Sequence, residues 1–149
     1  MFSQRTSFRL KDFLRRLVTL VMTALLGLAP VRVDGVKLSV ETPVTPETTT
    51  LCVTVQNDSR RTLSFGVDSF ELMIEGVNGW EKLEKLPHAV IEIAQLLYPS
   101  DSTTIRVDLP ALYGRTLSPG THRFVFQFRM ENRREPEYCM AQTDFIVAE

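Results

Sequence analysis

The stretch that decides the fold is "YGRTLSPGTHRFVFQF", residues 113–128. It places a histidine, four aromatic rings and two arginines around a Pro-Gly pair. It reads either as a site or as a chain corner feeding a strand. Alternation settles the choice. His122, Phe124, Phe126 and Phe128 fall on one side, and Arg123, Val125 and Gln127 with Arg129 on the other. A period of two is the signature of a half-buried strand. In Ser118-Pro119-Gly120-Thr121, Pro suits the second position of a type II turn and Gly the third, where φ is positive. Pro119 and Gly120 are therefore read as the corner, and the phenylalanine stripe as core.

The same period recurs on both sides of this strand. "VKLSVE" (36–41), "LCVTVQN" (51–57) and "STTIRVDL" (102–109) alternate, as does "YCMAQTDFIVA" (138–148). "SFELMIEGVNGWEKLEKL" (69–86) reads as a hairpin. Its Asn78-Gly79 pair suits a two-residue type I′ turn, which would set Val77 opposite Trp80 and Glu75 opposite Lys82. Trp80 is expected to be at least partly buried. "AVIEIAQLLYP" (89–99) starts as a strand and runs into a bend, and "PALYG" (110–114) has room for one helical turn. Seven to eight strands over about 115 residues, separated by turn signals, predict an all-β, two-sheet antiparallel sandwich.

The chain of 149 residues has a formal charge of −1, which hides an asymmetry. Residues 1–16 carry a net charge of +4 and residues 17–149 a net of −5. An acidic body does not release counterions from a nucleic acid, so no nucleic-acid partner is expected. "LVTLVMTALLGLAPV" (17–31) holds no charge. A basic head followed by about fifteen apolar residues is the layout of a secretory signal. Junctions at Ala29 and near Gly35 both compete with an uncleaved anchor. The reading is residues 1–35 as signal peptide or membrane anchor and residues 36–149 as the sandwich. Uncleaved, residues 8–31 would meet the membrane and hold the body outside the cytoplasm.

Candidate chemistry is sparse. His88 follows Pro87 in a turn and reads as solvated, and His122 as a histidine at the core edge. No nucleophile elbow, phosphate loop or zinc-protease pair occurs. Glu71, Glu75, Glu81 and Glu84 read as a solvated face of the hairpin. Asp101 and Asp108 are the loop carboxylates available to calcium, but they lack the run of ligands a calcium loop needs. Catalytic residues, metals and cofactors are therefore expected to be none. Asn57-Asp58-Ser59 has the acceptor pattern for N-glycosylation and otherwise reads as a polar turn at a strand end. Arg123, Gln127 and Arg129 form an outward row that could meet an acidic ligand. Cys52 and Cys139 are a candidate disulfide in an oxidising compartment. Strand parity speaks against it, because Cys52 lies opposite Leu51, Val53 and Val55.

From residue 51 onward the chain resembles a bacterial immunoglobulin-like domain family of exported or membrane-attached proteins. The resemblance is carried by "LCVTVQNDS", "SFGVDSFELMIEGVNGWEKLE", "LYPSDSTTIRVDL", "YGRTLSPGTHRFVF" and "TDFIVA". It includes an Asn-Gly-Trp hairpin (Asn78, Gly79, Trp80) and a Leu-x-x-Gly-x-x-Arg turn at Leu117, Gly120 and Arg123. His122 departs from it, since a tyrosine commonly precedes that arginine. The resemblance implies an Ig-like sandwich acting as a noncatalytic accessory or interaction module at the cell envelope, with an unidentified protein or envelope ligand. A second reading is a small exported protease inhibitor presenting "ETPVTPETTT" (41–50) or "ENRREPE" (131–137) as its reactive loop.

Overall fold

A computed structural model describes residues 31–32, 35–131 and 138–149. All of the expected signal or anchor at residues 1–35 except Val31, Arg32 and Gly35, and most of the charged loop at 131–137, lie outside the described residues. The strands are β1 (Val31–Arg32), β2 (Val36–Val40), β3 (Thr50–Asn57), β4 (Leu63–Gly66) and β5 (Phe70–Gly76). They continue with β6 (Gly79–Lys82), β7 (Ala94–Leu97) and β8 (Ser102–Asp108), then a helical turn α1 (Leu109–Tyr113), β9 (Gly120–Met130) and β10 (Tyr138–Val147). Among the described residues they form a seven-stranded sheet and a three-stranded sheet ordered β2-β3-β8. The pairings are antiparallel except β1 on β10, which is parallel. The two-sheet sandwich is thus observed, with β1 and β4 added to the strands read from the sequence.

The core is made by alternation. Phe124, Phe126 and Phe128 of β9 are buried, and Leu51, Val53 and Val55 of β3 enter the same cluster from the other sheet. Phe126 meets Phe65 edge-on at 5.0 Å and stacks on Phe128 at 5.3 Å, while Phe124 stacks on Phe70 at 5.4 Å. Each such ring withdrawn from water contributes about 1.5–3 kcal/mol. The organising strand is β9. One edge pairs with β10 along its whole length. The other edge serves two short strands in succession, β5 against His122–Phe126 and β4 against Arg129–Met130. Between them the chain turns tightly, with Gln127 N donating to Ser69 O at 2.8 Å and Gly66 N to Ser69 Oγ at 2.9 Å.

The chain bends at Pro119, and Gly120 has a positive φ of 134°, beyond the value of about 80° at the third position of a type II turn, where it opens β9 opposite Val147. The turn of α1 is capped at both ends. Asp108 Oδ1 accepts from Ala111 N at 3.1 Å, Pro110 stands at the start where no N–H is needed, and Gly114 closes the turn at φ 70°. The hairpin departs from its expected register. Glu75 lies opposite Trp80 and Met73 opposite Lys82, so the turn residues are Val77-Asn78. A type I′ turn on Asn78-Gly79 needs positive φ at both, and only Gly79 has it, at 110°. The left-handed residue instead follows the turn, as in three-residue hairpin loops. Both registers keep Glu75, Trp80 and Lys82 on one face, so the face assignment stands. Val31-Arg32 pairing on Cys139-Met140 starts the sheet before residue 36.

Candidate interaction surface

The polypeptide from Leu83 to Tyr98 crosses the molecule with little cover of its own. Its first half is well fastened. Leu83 N donates to Leu72 O at 2.9 Å and Leu86 N to Leu112 O at 2.7 Å. Lys85 Nζ lies 4.2 Å from the Phe70 ring centroid, donates to Phe70 O, and meets Asp68 Oδ1 at 2.8 Å. His88 engages both ring nitrogens, Nδ1 with Leu86 O at 2.6 Å and Nε2 with Asp68 Oδ2 at 3.0 Å. Two acceptors on one imidazole require both nitrogens protonated, so the geometry favours the cation. The backbone carbonyl of Leu86 and then the Asp68 carboxylate accordingly raise its pKa. Partial burial works to raise Asp68, but hydrogen bonds and charge from Lys85 and His88 hold it below its ordinary value. His88 is exposed, as read from the sequence; its pairing with Asp68 was not foreseen.

Beyond His88 the fastening stops. Val90 is 53% exposed, Ile91 66%, Ile93 60%, Leu96 50% and Tyr98 56%. Among the described residues β7 pairs only with β4, from Leu63↔Leu97 to Gly66↔Ala94, and no described strand lies on its other edge. Alongside it runs a groove of about 430 Å³, whose walls include Val67, Val90, Ile91 and Ile93 and whose polar groups include Asp68 and Arg129. The groove lies where β9 passes from β5 to β4. Scattered apolar side chains on a surface need no explanation, but five exposed ones within the nine residues 90–98 are more than scatter.

The residues singled out from the sequence serve the sandwich. Arg123 is not open to a ligand: its Nε and Nη2 bind both oxygens of Asp144 at 2.7 and 3.1 Å, and the guanidinium lies 3.9 Å from the Trp80 ring centroid. Its pKa is raised by that carboxylate, and Asp144 is lowered in return. Trp80 is half-buried beneath it. Arg129 donates to the Tyr138 hydroxyl and lies over that ring at 4.7 Å. Glu71 pairs with Lys82 at 2.9 Å. Asp108 is the helix cap already described. Asn78 and Gly79 form the hairpin end, and Pro119 and Gly120 the corner.

His122 lies inside the core and not at its edge. It is fully buried, stacked 5.7 Å from Phe145, with Nδ1 donating to Gly120 O at 3.2 Å and Nε2 without a partner. Burial, the largest influence, lowers its pKa, so the ring is neutral. The Tyr113 hydroxyl is buried near the Leu72 backbone, and burial pushes its pKa upward against the pull of that backbone group. Cys52 and Cys139 are not joined. Cys52 points away from the core on β3, 3.9 Å from Arg106 Nη1, while Cys139 is buried on β10 in the other sheet. Parity had separated them, and the fold keeps them apart.

Asn57 is buried with all its side-chain hydrogen-bonding capacity in use. Nδ2 donates to Arg61 O at 2.8 Å and Leu97 O at 3.0 Å, and Oδ1 accepts from Ser59 N at 3.0 Å and Ser59 Oγ at 2.6 Å. An amide so enclosed is no glycan acceptor. It is the strand-end turn, and its bond to Leu97 O fastens β7 to the end of β3. Sequence reasoning missed this tie and the β7 surface alike. The one available signal for the surface was the near absence of charge over residues 89–98.

The sequence pattern described as Bacterial Ig-like domain matches residues 33–142. No curated protein matches the chain. With most of its length so matched, and with two sheets closed over a phenylalanine-centred core, the chain belongs to the bacterial Ig-like domain family.

Proposed function

We propose that the chain is a noncatalytic, exported accessory module that binds a protein at the cell envelope through β7 and its adjoining groove. The observation that carries this is the run of exposed apolar side chains from Val90 to Tyr98 beside a strand edge on which no described strand lies. A noncatalytic role is supported by where the two imidazoles stand. His88 is held between Asp68 and Leu86 O, and His122 is sealed in the core. Export is supported by the basic head and the uncharged run that follows it. Removal of the signal after Ala29, or its retention, would keep β1, whereas removal after Gly35 would strip Val31 and Arg32 from β10. The loop 41–50 gives no support to the inhibitor reading. Val44 is buried, bridges Val147 and accepts from Ala148 N at 2.9 Å, so that loop is folded down on the sheet.

Two measurements test the proposal. Fractionation of the producing cell with N-terminal sequencing should find the module outside the cytoplasm, beginning at or before Val31. A photo-reactive side chain at Ile91 in the full chain should form protein adducts, and one at Ile146, exposed on β10, should form few. A cytoplasmic product, or equal adducts at both positions, would overturn it.

A further inference from the structure

We propose that the partner of this surface is a second copy of the chain, the two β7 strands pairing antiparallel so that their seven-stranded sheets join. This rests on the interaction reading above and names its occupant.

The other described edge strands carry charges or, in the case of β1, are only two residues long, whereas β7 from Ala94 to Leu97 carries no charge. The outer edge of β2 carries Lys37, paired with Asp58 at 3.1 Å. The exposed positions of β8 include Arg106 and Asp108, and β6 ends in Glu81 and Lys82. β10 is covered by β1 at one end and the Val44 bridge at the other. Charges and coverings of this kind are how sheets avoid edge pairing. Residues 89–98 hold one charge, Glu92, and no Pro or Gly, the composition that favours strand association.

The strand is also complementary to itself. In an antiparallel register centred on Gln95, its amide faces its own copy. Ala94 then faces Leu96, Ile93 faces Leu97, and Glu92 faces the hydroxyl-bearing Tyr98. No like charges meet, and directly opposed pairs of this kind stabilise a sheet. The five exposed side chains leave on the order of 600 Å² accessible on each copy, against about 800 Å² per partner in a stable interface. The strand backbone and Val67, 54% exposed in the groove wall, add to this area.

The test uses the full chain. Two differently tagged copies, co-expressed, should co-purify, and Leu96→Lys should lower that capture at least tenfold. Leu96 is half exposed, so the change does not touch the core, and the apolar head is intact in both forms. In a Cys52→Ser background, Gln95→Cys should cross-link to its own copy under mild oxidation at least fivefold faster than Ile146→Cys, because opposed strand residues lie within bridging distance. Unchanged capture with Leu96→Lys, or equal cross-linking at the two positions, would overturn self-pairing. Adducts at Ile91 that contain another protein and no second copy would overturn self-pairing alone. Absence of adducts at Ile91 would remove the interaction reading with it.

Discussion

Replacement of Asn57 by Ala should cost more than most single changes in this domain. The side chain makes four hydrogen bonds, two to carbonyls and two from Ser59. The bonds to Arg61 O and to Ser59 are only partly buried, so water takes much of their place, at about 0.5–1 kcal/mol each. The bond to Leu97 O is buried, and an orphaned buried acceptor costs about 1–3 kcal/mol. The void left by the amide adds to this. The three partly buried bonds and the orphaned acceptor together come to about 2.5–6 kcal/mol, a shift of roughly two to four powers of ten in the unfolding constant, since every 1.4 kcal/mol is tenfold. Urea denaturation followed by fluorescence of the single tryptophan, Trp80, measures it. Ser59→Ala is the control. It removes part of the exposed half of the network and should cost about 1 kcal/mol. Asn57→Asp sharpens the test, because a buried carboxylate facing two carbonyls is penalised when charged. Its defect should therefore shrink as pH falls and the acid protonates. A loss under 1 kcal/mol for Asn57→Ala, or a pH-independent Asn57→Asp, would refute the network as described.

His88 and His122 should act oppositely on stability. His88 has a raised pKa, so its contribution is full below its unfolded value near 6.5 and is lost as pH rises through the folded value; hydrogen exchange at Ala89–Ile93 should quicken there, and His88→Gln should abolish the dependence. His122 has a lowered pKa, so the folded state is penalised as pH falls below about 6.5. His122→Phe removes both that penalty and the unpartnered Nε2, and should leave the midpoint of thermal unfolding unchanged or higher at pH 7 and clearly higher at pH 5. Arg123→Ala should cost about 1 kcal/mol, because it removes an exposed ion pair and a cation–π interaction together, and should move Trp80 emission toward the red.

What could be read from the chain followed from local periodicity. β9 and β3 declare themselves because Phe124, Phe126 and Phe128, and Leu51, Val53 and Val55, recur at every second position with no competing signal. The corner at Gly120 and the turn of α1 are likewise local, set by Pro, Gly and Asp side chains acting on their own backbone. β4 escaped because four residues with only Leu63 and Phe65 inward carry too little pattern beside Arg60-Arg61. The hairpin turn moved by one position, and the pairing with it by two, because Asn78-Gly79 satisfies two loop types, and the choice depends on which residue bears the positive φ. The His88–Asp68 pair spans 20 positions and the Asn57–Leu97 bond 40. Neither leaves a trace in local composition. The β7 surface was hidden for another reason. A sequence reports that Ile91, Ile93 and Leu96 are apolar, but whether anything covers them is decided by the neighbouring elements.

The groove and the outer edge of β7 have one cause in the chain. β9 is eleven residues long and offers one edge to two shorter strands, so its neighbours cannot form a continuous row. The chain spans the gap with the Val67–Ser69 turn, and that turn presents Asp68 outward as the anchor for Lys85 and His88. Once these two are fixed, the residues that follow are carried past the turn and onto the outside of β4, where β7 becomes the last strand. Its far end is fixed by the Asn57 amide at Leu97. The placement of the apolar strip therefore depends on two polar fastenings, one at each end, besides the ladder to β4 and the burial of Leu97. Loss of either fastening should reduce cross-linking at Gln95→Cys even where the core survives. A stable Asp68→Ala variant that cross-linked as fast as the parent would separate the strip from its supposed supports and leave the edge without this explanation.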